Sequence, residues 1–251
     1  VAVRMPINPH KPEKNPPVVK VGYLRHPQAV SGGWPGHGFN NDLACKQYTQ
    51  TLQAIGDELG VVVDFAHAEM PINDVASIDR FIGAVKEEKP DAMLICPMGI
   101  FRPWDLADKI FAAVDLPTLV FTQIGTSFTM NTAPLAAKPG FYLVSSMDIA
   151  DLRPGLEMVR TAKRLQQSTL LVLGRSCYQS TAFEDDSFGV LGTKLAFCSG
   201  EDYVKVYQEV PVDDQVQRLA KEAVEQAKEF KEVTEEDVLN AARHYFAAKR
   251  L

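Results

Sequence analysis

Cysteine is scarce: Cys45, Cys96, Cys177 and Cys198 stand far apart, with no CxxC pair and no histidine cluster beside them. That pattern gives no disulfide framework and no zinc motif, and points to buried, reduced thiols in a cytoplasmic protein. Long apolar runs are missing as well. Segments such as Val61-Val62-Val63 and Thr169–Leu173 fall far short of the ~20 residues that span a bilayer, so no membrane crossing is expected. Nor is there an excess of positive charge. With 26 Lys and Arg against 32 Asp and Glu, the net charge is −6, and no overall field draws the chain to nucleic acid or anionic lipid. Neither GxGxxG nor GxxxxGK[ST] occurs, which leaves nucleotide binding without support. The five histidines, His10, His26, His37, His67 and His244, have no metal-like spacing among themselves.

What is present is an ordinary globular composition, 46% hydrophobic and 23% charged, which rules out a disordered or fibrous chain. A length of 251 residues suits two domains of common size. The chain starts at Val1 in place of Met, which implies processing or trimming at the front and leaves a lost export signal open. Pro6, Pro9, Pro12, Pro16 and Pro17 deny helix hydrogen bonds to residues 1–17, so this segment reads as an extended arm.

From Val18 onward, short β-branched runs alternate with amphipathic stretches, the pattern of β-α units around a mostly parallel sheet. Strands are predicted at 18–24, 61–65, 92–95 and 118–122. Helices are predicted between them at 41–59, 73–88 and 104–114. Gly60 is placed to cap the first helix, and Lys89-Pro90-Asp91 ends the second. The stretch 124–140 is rich in Gly, Thr, Ser, Asn and Pro and has no period, so it reads as a long loop of the kind that has a function or joins two domains. Beyond it come a strand at 141–144 and a helix from 148 to 167. A second β-α series follows, with strands at 169–173 and 193–197 and a weak helix near 183–191. Helices at 212–230 and from 234 to the end complete the chain.

The fold class expected is therefore α/β, with two Rossmann-like open parallel-sheet layers. The first domain is predicted over residues 18–146 and the second over 147–251. The second layer looks incomplete, because it shows two convincing strands where an open parallel sheet has about five. Either the natural polypeptide is expected to continue past Leu251, or another chain to supply the missing strands.

The segments KVGYLRHPQ, KPDAMLICPMGIFRPWDLADKI, LPTLVFTQ, DIADLRPGLEMVRTAKRL and EEDVLNAARHYFAAKRL, taken in order, resemble the amino-terminal half of L-fucose isomerase and L-arabinose isomerase-like proteins. The resemblance is diffuse and is strongest over Arg153 to Leu165. It implies two Rossmann-like domains ahead of a third, in a homo-oligomer that converts aldoses to ketoses through an enediol held on a divalent metal, usually manganese. The metal-binding Glu, Asp and His of that family follow the region covered here. No catalytic residue or metal ligand is therefore assigned in this chain, and the chain alone is expected to be inactive and to bind no metal. Chemistry asks for the same convergence, since moving a proton between C2 and C1 needs a base near carbon and a cation or strong donor on the adjacent oxygens. The one dense acidic cluster near a loop, Glu184-Asp185-Asp186, reads more simply as the first turn of a helix.

Substrate contacts are expected beyond the carboxyl ends of the strands, where ligands of open α/β sheets sit. The loop RHPQAVSGGWPGHGFNND offers Arg25, His26, Gln28, Trp34 and His37 to a monosaccharide: Arg and Gln as hydroxyl donors, Trp as a stacking face. The resemblance further implies that Arg25 reaches a neighbouring subunit's active site; a carboxylate-pairing role for Arg25 is the structural alternative. After the third strand, CPMGIFRPWD puts aromatics at Phe101 and Trp104, and Trp104 is a second stacking candidate, with packing at the start of a helix as the structural alternative. The family often presents an aromatic residue soon after this strand, whereas this sequence has Gly99 soon after Cys96-Pro97, a departure that bears on sugar specificity. The fourth loop contributes Gln123, Thr126, Ser127 and Asn131. A different class of function fits the same layers, namely a noncatalytic sugar-binding or sensory module built like a periplasmic binding protein.

Overall fold

The computed structural model describes residues 15–26, 38–65, 72–173, 189–229 and 231–251. Most of the proline-rich arm, Gln28, Trp34, His37, the Glu184-Asp185-Asp186 cluster and most of the weak helix near 183–191 lie outside the described residues. Two compact α/β units divide between Arg164 and Leu165.

The first unit holds a parallel five-stranded sheet in the order β2-β1-β3-β4-β5. Its strands are β1 (Val18–Leu24), β2 (Val62–Asp64), β3 (Ala92–Pro97), β4 (Thr118–Gln123) and β5 (Phe141–Ser146). Between them run α1 (Asn41–Leu59), α2 (Val75–Glu88), α3 (Arg102–Ala113) and α4 (Thr129–Ala136), and α5 (Arg153–Gln167) follows β5 after one 3₁₀ turn, Ile149–Leu152. Strand β3 is buried at every position, as expected of a central parallel strand covered on both faces.

Alternation along β1 explains the two cores. Val19, Val21 and Tyr23 face Leu52, Ile55 and Leu59 of α1 and Leu156 and Val159 of α5. On the opposite face, Leu24, Met93 and Ile95 pack with Phe81 of α2 and Trp104, Ile110 and Phe111 of α3. Helices thus cover both sides, and the chain winds outward in two directions from β1 and β3. Helix α1 begins where Asn40 accepts from the Leu43 N–H and ends at Gly60, whose φ of 69° suits glycine at a left-handed cap. Gly56, one turn earlier, is required by close approach, since a Cβ there would lie 2.7 Å from the Val61 carbonyl oxygen.

Lys20 also lies on β1, fully buried, with its ammonium 2.7 Å from Asp64 of β2 and bonded to Glu88 of α2. Asp91 performs a related task at the head of β3, accepting the Val18 N–H at 2.9 Å and the Lys163 ammonium at 2.6 Å.

Two expectations need correction. The aperiodic segment 124–140 is not a domain joint, because it contains α4 and links two paired strands of the same sheet. Asn131 explains part of that turn: its side chain accepts the Phe128 N–H at 3.1 Å. The boundary expected after residue 146 moves to 164, because Ile149, Leu152, Leu156 and Val159 bury their apolar face in the first unit's core. An amphipathic stripe shows that a helix is covered but does not say by which sheet.

The second unit contains β6 (Thr169–Leu173) and β7 (Lys194–Cys198), paired in parallel from Thr169↔Lys194 to Leu173↔Cys198. Three helices follow: α6 (Gly200–Gln208), α7 (Asp214–Gln226) and α8 (Glu235–Arg250). Helix α6 is missing from the sequence reading, although Ser199 capping the Asp202 N–H is a usable start signal. Thr234 and Asp237 form the predicted capping box of α8. Val216, Ala220, Ala242 and Ala247 form the small core of this helical part.

Candidate functional site

Strand order decides where a ligand belongs. From β1 the chain passes to β2 on one side, then returns to β3 on the other, so β1 and β3 flank the switch point of the sheet. Their carboxyl ends meet tightly there: the Met98 N–H donates to the Leu24 carbonyl at 2.8 Å, and the Arg25 N–H reaches the Ile72 carbonyl at 3.3 Å. The loops after the two strands touch as well, since a Cβ on Gly99 would lie 3.5 Å from Cδ2 of His26.

Arg25 leaves β1 at this point with its side chain only 12% exposed, and its guanidinium is ion-paired to Asp42 in the first turn of α1. The carboxylate anchors one end of the guanidinium. Among the described residues, the buried Nε of Arg25 has no acceptor. A cavity of about 360 Å³ opens beside the pair, lined by Arg25, Asp42, Cys45, Thr49 and Gln50, with Phe65 at the end of β2. This volume lies near the lower end of the roughly 300–1,000 Å³ typical of small-molecule sites. Its wall, which Lys46 also lines, combines an ion pair, an ammonium, a hydroxyl and an amide with one aromatic ring, a set able to exchange hydrogen bonds with a polyhydroxyl compound.

Cys45 does not supply a nucleophile to this cavity. Burial pushes its thiol up to about 11, against the opposing pull of Arg25, so it stays protonated near neutrality. Its sulfur instead contacts that of Met98 at 3.4 Å. Beneath the cavity, the hydroxyls of Tyr23 and Thr49 are 3.1 Å apart, and Tyr48 donates to Gln123 Oε1 at 3.0 Å. Burial raises the pKa of both tyrosines, so each remains neutral.

The other predicted contacts divide. His26 sits at the switch point with Arg25, whereas Trp104 does not face a ligand. It is 2% exposed in the core, and its indole N–H donates to the Thr126 carbonyl at 2.8 Å. Pro103 and Trp104 open α3, and the same apolar face that begins the helix takes the indole inward. Thr126 is itself buried and donates to the Gln123 carbonyl at 2.8 Å, so its hydroxyl closes a turn. Ser127 approaches Thr122 at 3.4 Å. Asp42 and Gln50 were missed because they lie on the helix after the loop; helical spacing from Asn40 places them, but only the fold shows that they line the same cavity as Arg25.

Phe101 is the strained residue of this edge, with φ 62° and ψ −106° at 69% exposure. A non-glycine residue held there costs on the order of 1–3 kcal/mol. Its exposed ring contributes little burial, so Phe101→Gly is expected to stabilise the first unit by about 1 kcal/mol after the entropy cost of glycine. Urea unfolding followed by tryptophan fluorescence checks this, and an unchanged or lower midpoint would show that the backbone is not strained.

Among the described residues no group of three His, Cys, Asp or Glu side chains is placed to hold a metal ion. No helix among them is long and apolar enough to cross a membrane.

The fold and its switch-point crevice define an open, doubly wound α/β architecture. No family model and no curated protein matches the chain. Among solved structures it is similar to a sugar ABC transporter from Yersinia enterocolitica subsp. enterocolitica 8081, at 12% identity and a TM-score of 0.31. The match covers 86% of this chain and 56% of that one. A likeness at that score assigns no function.

Proposed function

We propose that the first unit binds a monosaccharide at the carboxyl edge of its sheet, and that the chain supplies the recognition and assembly side of an aldose–ketose isomerase acting in a homo-oligomer. The observation that supports this reading is the placement of Arg25 beside the switch point, oriented by Asp42 and opening on a cavity of about 360 Å³. In such a site Arg25 binds and orients sugar oxygens, and the buried strand ends exclude water from one face. Manganese would stabilise the enediol; the described residues present no ligand set for it.

A second reading, a sugar-binding module without catalysis, is favoured by the division into two compact units, each with its own parallel sheet. Titration calorimetry of this chain with aldoses and ketoses tests the binding that both readings share, and an NMR assay of aldose–ketose interconversion on an assembly that also carries a Mn²⁺ ligand set separates the two. Saturable binding with interconversion supports the isomerase, and binding alone supports the module. Arg25→Ala is expected to weaken binding about ten- to hundredfold, the loss of one charge-assisted hydrogen bond. If no monosaccharide binds saturably, both readings fail.

A further inference from the structure

In the second unit, α7 and α8 form a helical hairpin whose inner face is closed by Val216, Ala220 and Ala242. A groove of about 490 Å³ opens between the two helices along one edge of that core. Ala220, Val224, Val238 and Leu239 form its floor. Gln217, Lys221 and Val224 lie about one helical turn apart along α7, so the groove runs along the helix with polar residues beside its apolar floor. Val224 is 38% exposed there, an apolar side chain left in solvent. The rims carry opposite charge, Lys221 on the α7 side and Glu235 with Glu236 at the start of α8. Among the described residues, Lys221 pairs with Glu225 at 3.9 Å, a solvent-screened contact that holds it weakly.

We propose that this groove receives the same groove of a second copy, so that two hairpins close into a four-helix bundle. Charge complementarity selects that occupant. A two-fold axis running along the groove lays α7 of one copy over α8 of the other at the same height. Each Lys221 then faces the Glu235 and Glu236 of its partner, while the apolar floors meet between them. A two-fold axis running across the groove would instead lay α7 over α7 and α8 over α8 and oppose like charges. Facing helices are antiparallel in this arrangement, the usual geometry of hairpins that pair into bundles.

The test is a charge exchange in the full chain, read by sedimentation velocity from micromolar to near-millimolar concentration. The wild type is expected to shift from 27.7 kDa toward twice that mass as concentration rises. Lys221→Glu alone, and Glu235→Lys with Glu236→Lys alone, should each shift dimerisation to at least tenfold higher concentration. The combined exchange should restore it, because the rims are again opposite. These positions are exposed, and circular dichroism confirms that each variant keeps its fold. Hydrogen exchange provides a second readout: residues 217–224 and 235–239 should gain protection with concentration. A wild type that stays monomeric throughout, an oligomer indifferent to the single reversals, or a folded triple variant that fails to re-associate would each overturn the proposal. So would protection that appears elsewhere and leaves these two segments unchanged.

Discussion

Removing both carboxylates around Lys20, by Asp64→Asn with Glu88→Gln, is expected to lower the stability of the first unit by roughly 3–5 kcal/mol at neutral pH. The lysine is fully buried on a central strand, and these two residues are the partners that satisfy its ammonium. Asp64 should account for most of the loss, since Glu88 is 48% exposed and its attraction is screened by water. The converse substitution behaves differently. Lys20→Met fills the same space without a charge and leaves two carboxylates with access to solvent, so it should cost less than about 2 kcal/mol.

The pH dependence of the same pair carries its own sign. Burial, the largest single influence, pulls the Lys20 ammonium down, but the hydrogen bonds and charges of Asp64 and Glu88 together hold it above the ordinary lysine value. The folded state therefore keeps this proton more tightly than the unfolded chain does. Its contribution is complete below the unfolded value near 10.4 and is lost as pH rises through the folded value. In the double variant only the burial effect remains, the folded value falls below the unfolded one, and stability should rise with pH over the alkaline range. Urea unfolding between neutral pH and pH 11, followed by tryptophan fluorescence, reads both curves. Parallel curves for wild type and variant would mean that the carboxylates do not hold the lysine charged.

Lys20 also shows where sequence reading stops. Within VVKVGYL it interrupts an apolar strand, and nothing local says whether its head reaches water or a carboxylate 44 or 68 positions away. Local signals did carry most of the first sheet. The run Val18–Leu24 and the cap at Gly60 are properties of a few neighbouring residues, and the strand and helix they mark occur as expected. Helix α4 was hidden because Thr129–Ala136 contains Pro134 and has no strong stripe, so its existence depends on the strands it joins. For the site, Arg25 was legible from its place after a strand. Its partner Asp42 was not, because an ion pair 17 residues apart is fixed only by how α1 returns over β1.

Trp104 carries the other large effect. Trp104→Ala should destabilise the first unit by about 3–5 kcal/mol, the cost of emptying a core site the size of an indole. Part of that loss is polar. The indole N–H satisfies the Thr126 carbonyl at 2.8 Å, and Thr126 is itself buried, so deleting the donor leaves an acceptor with little access to water. Trp104→Phe keeps much of the apolar volume but not the donor, and should cost about 2 kcal/mol. A residue that stacked on a sugar from the surface would behave in the opposite way, with little change in unfolding and a large loss of binding. Denaturant unfolding by circular dichroism and sugar titration on the same two variants distinguish these outcomes. Core placement requires the stability loss to follow the order Ala above Phe, with ligand affinity per folded molecule held within about twofold, since uncoupled sites contribute independently. A stable Trp104→Ala protein that no longer binds its sugar would return the indole to the ligand face.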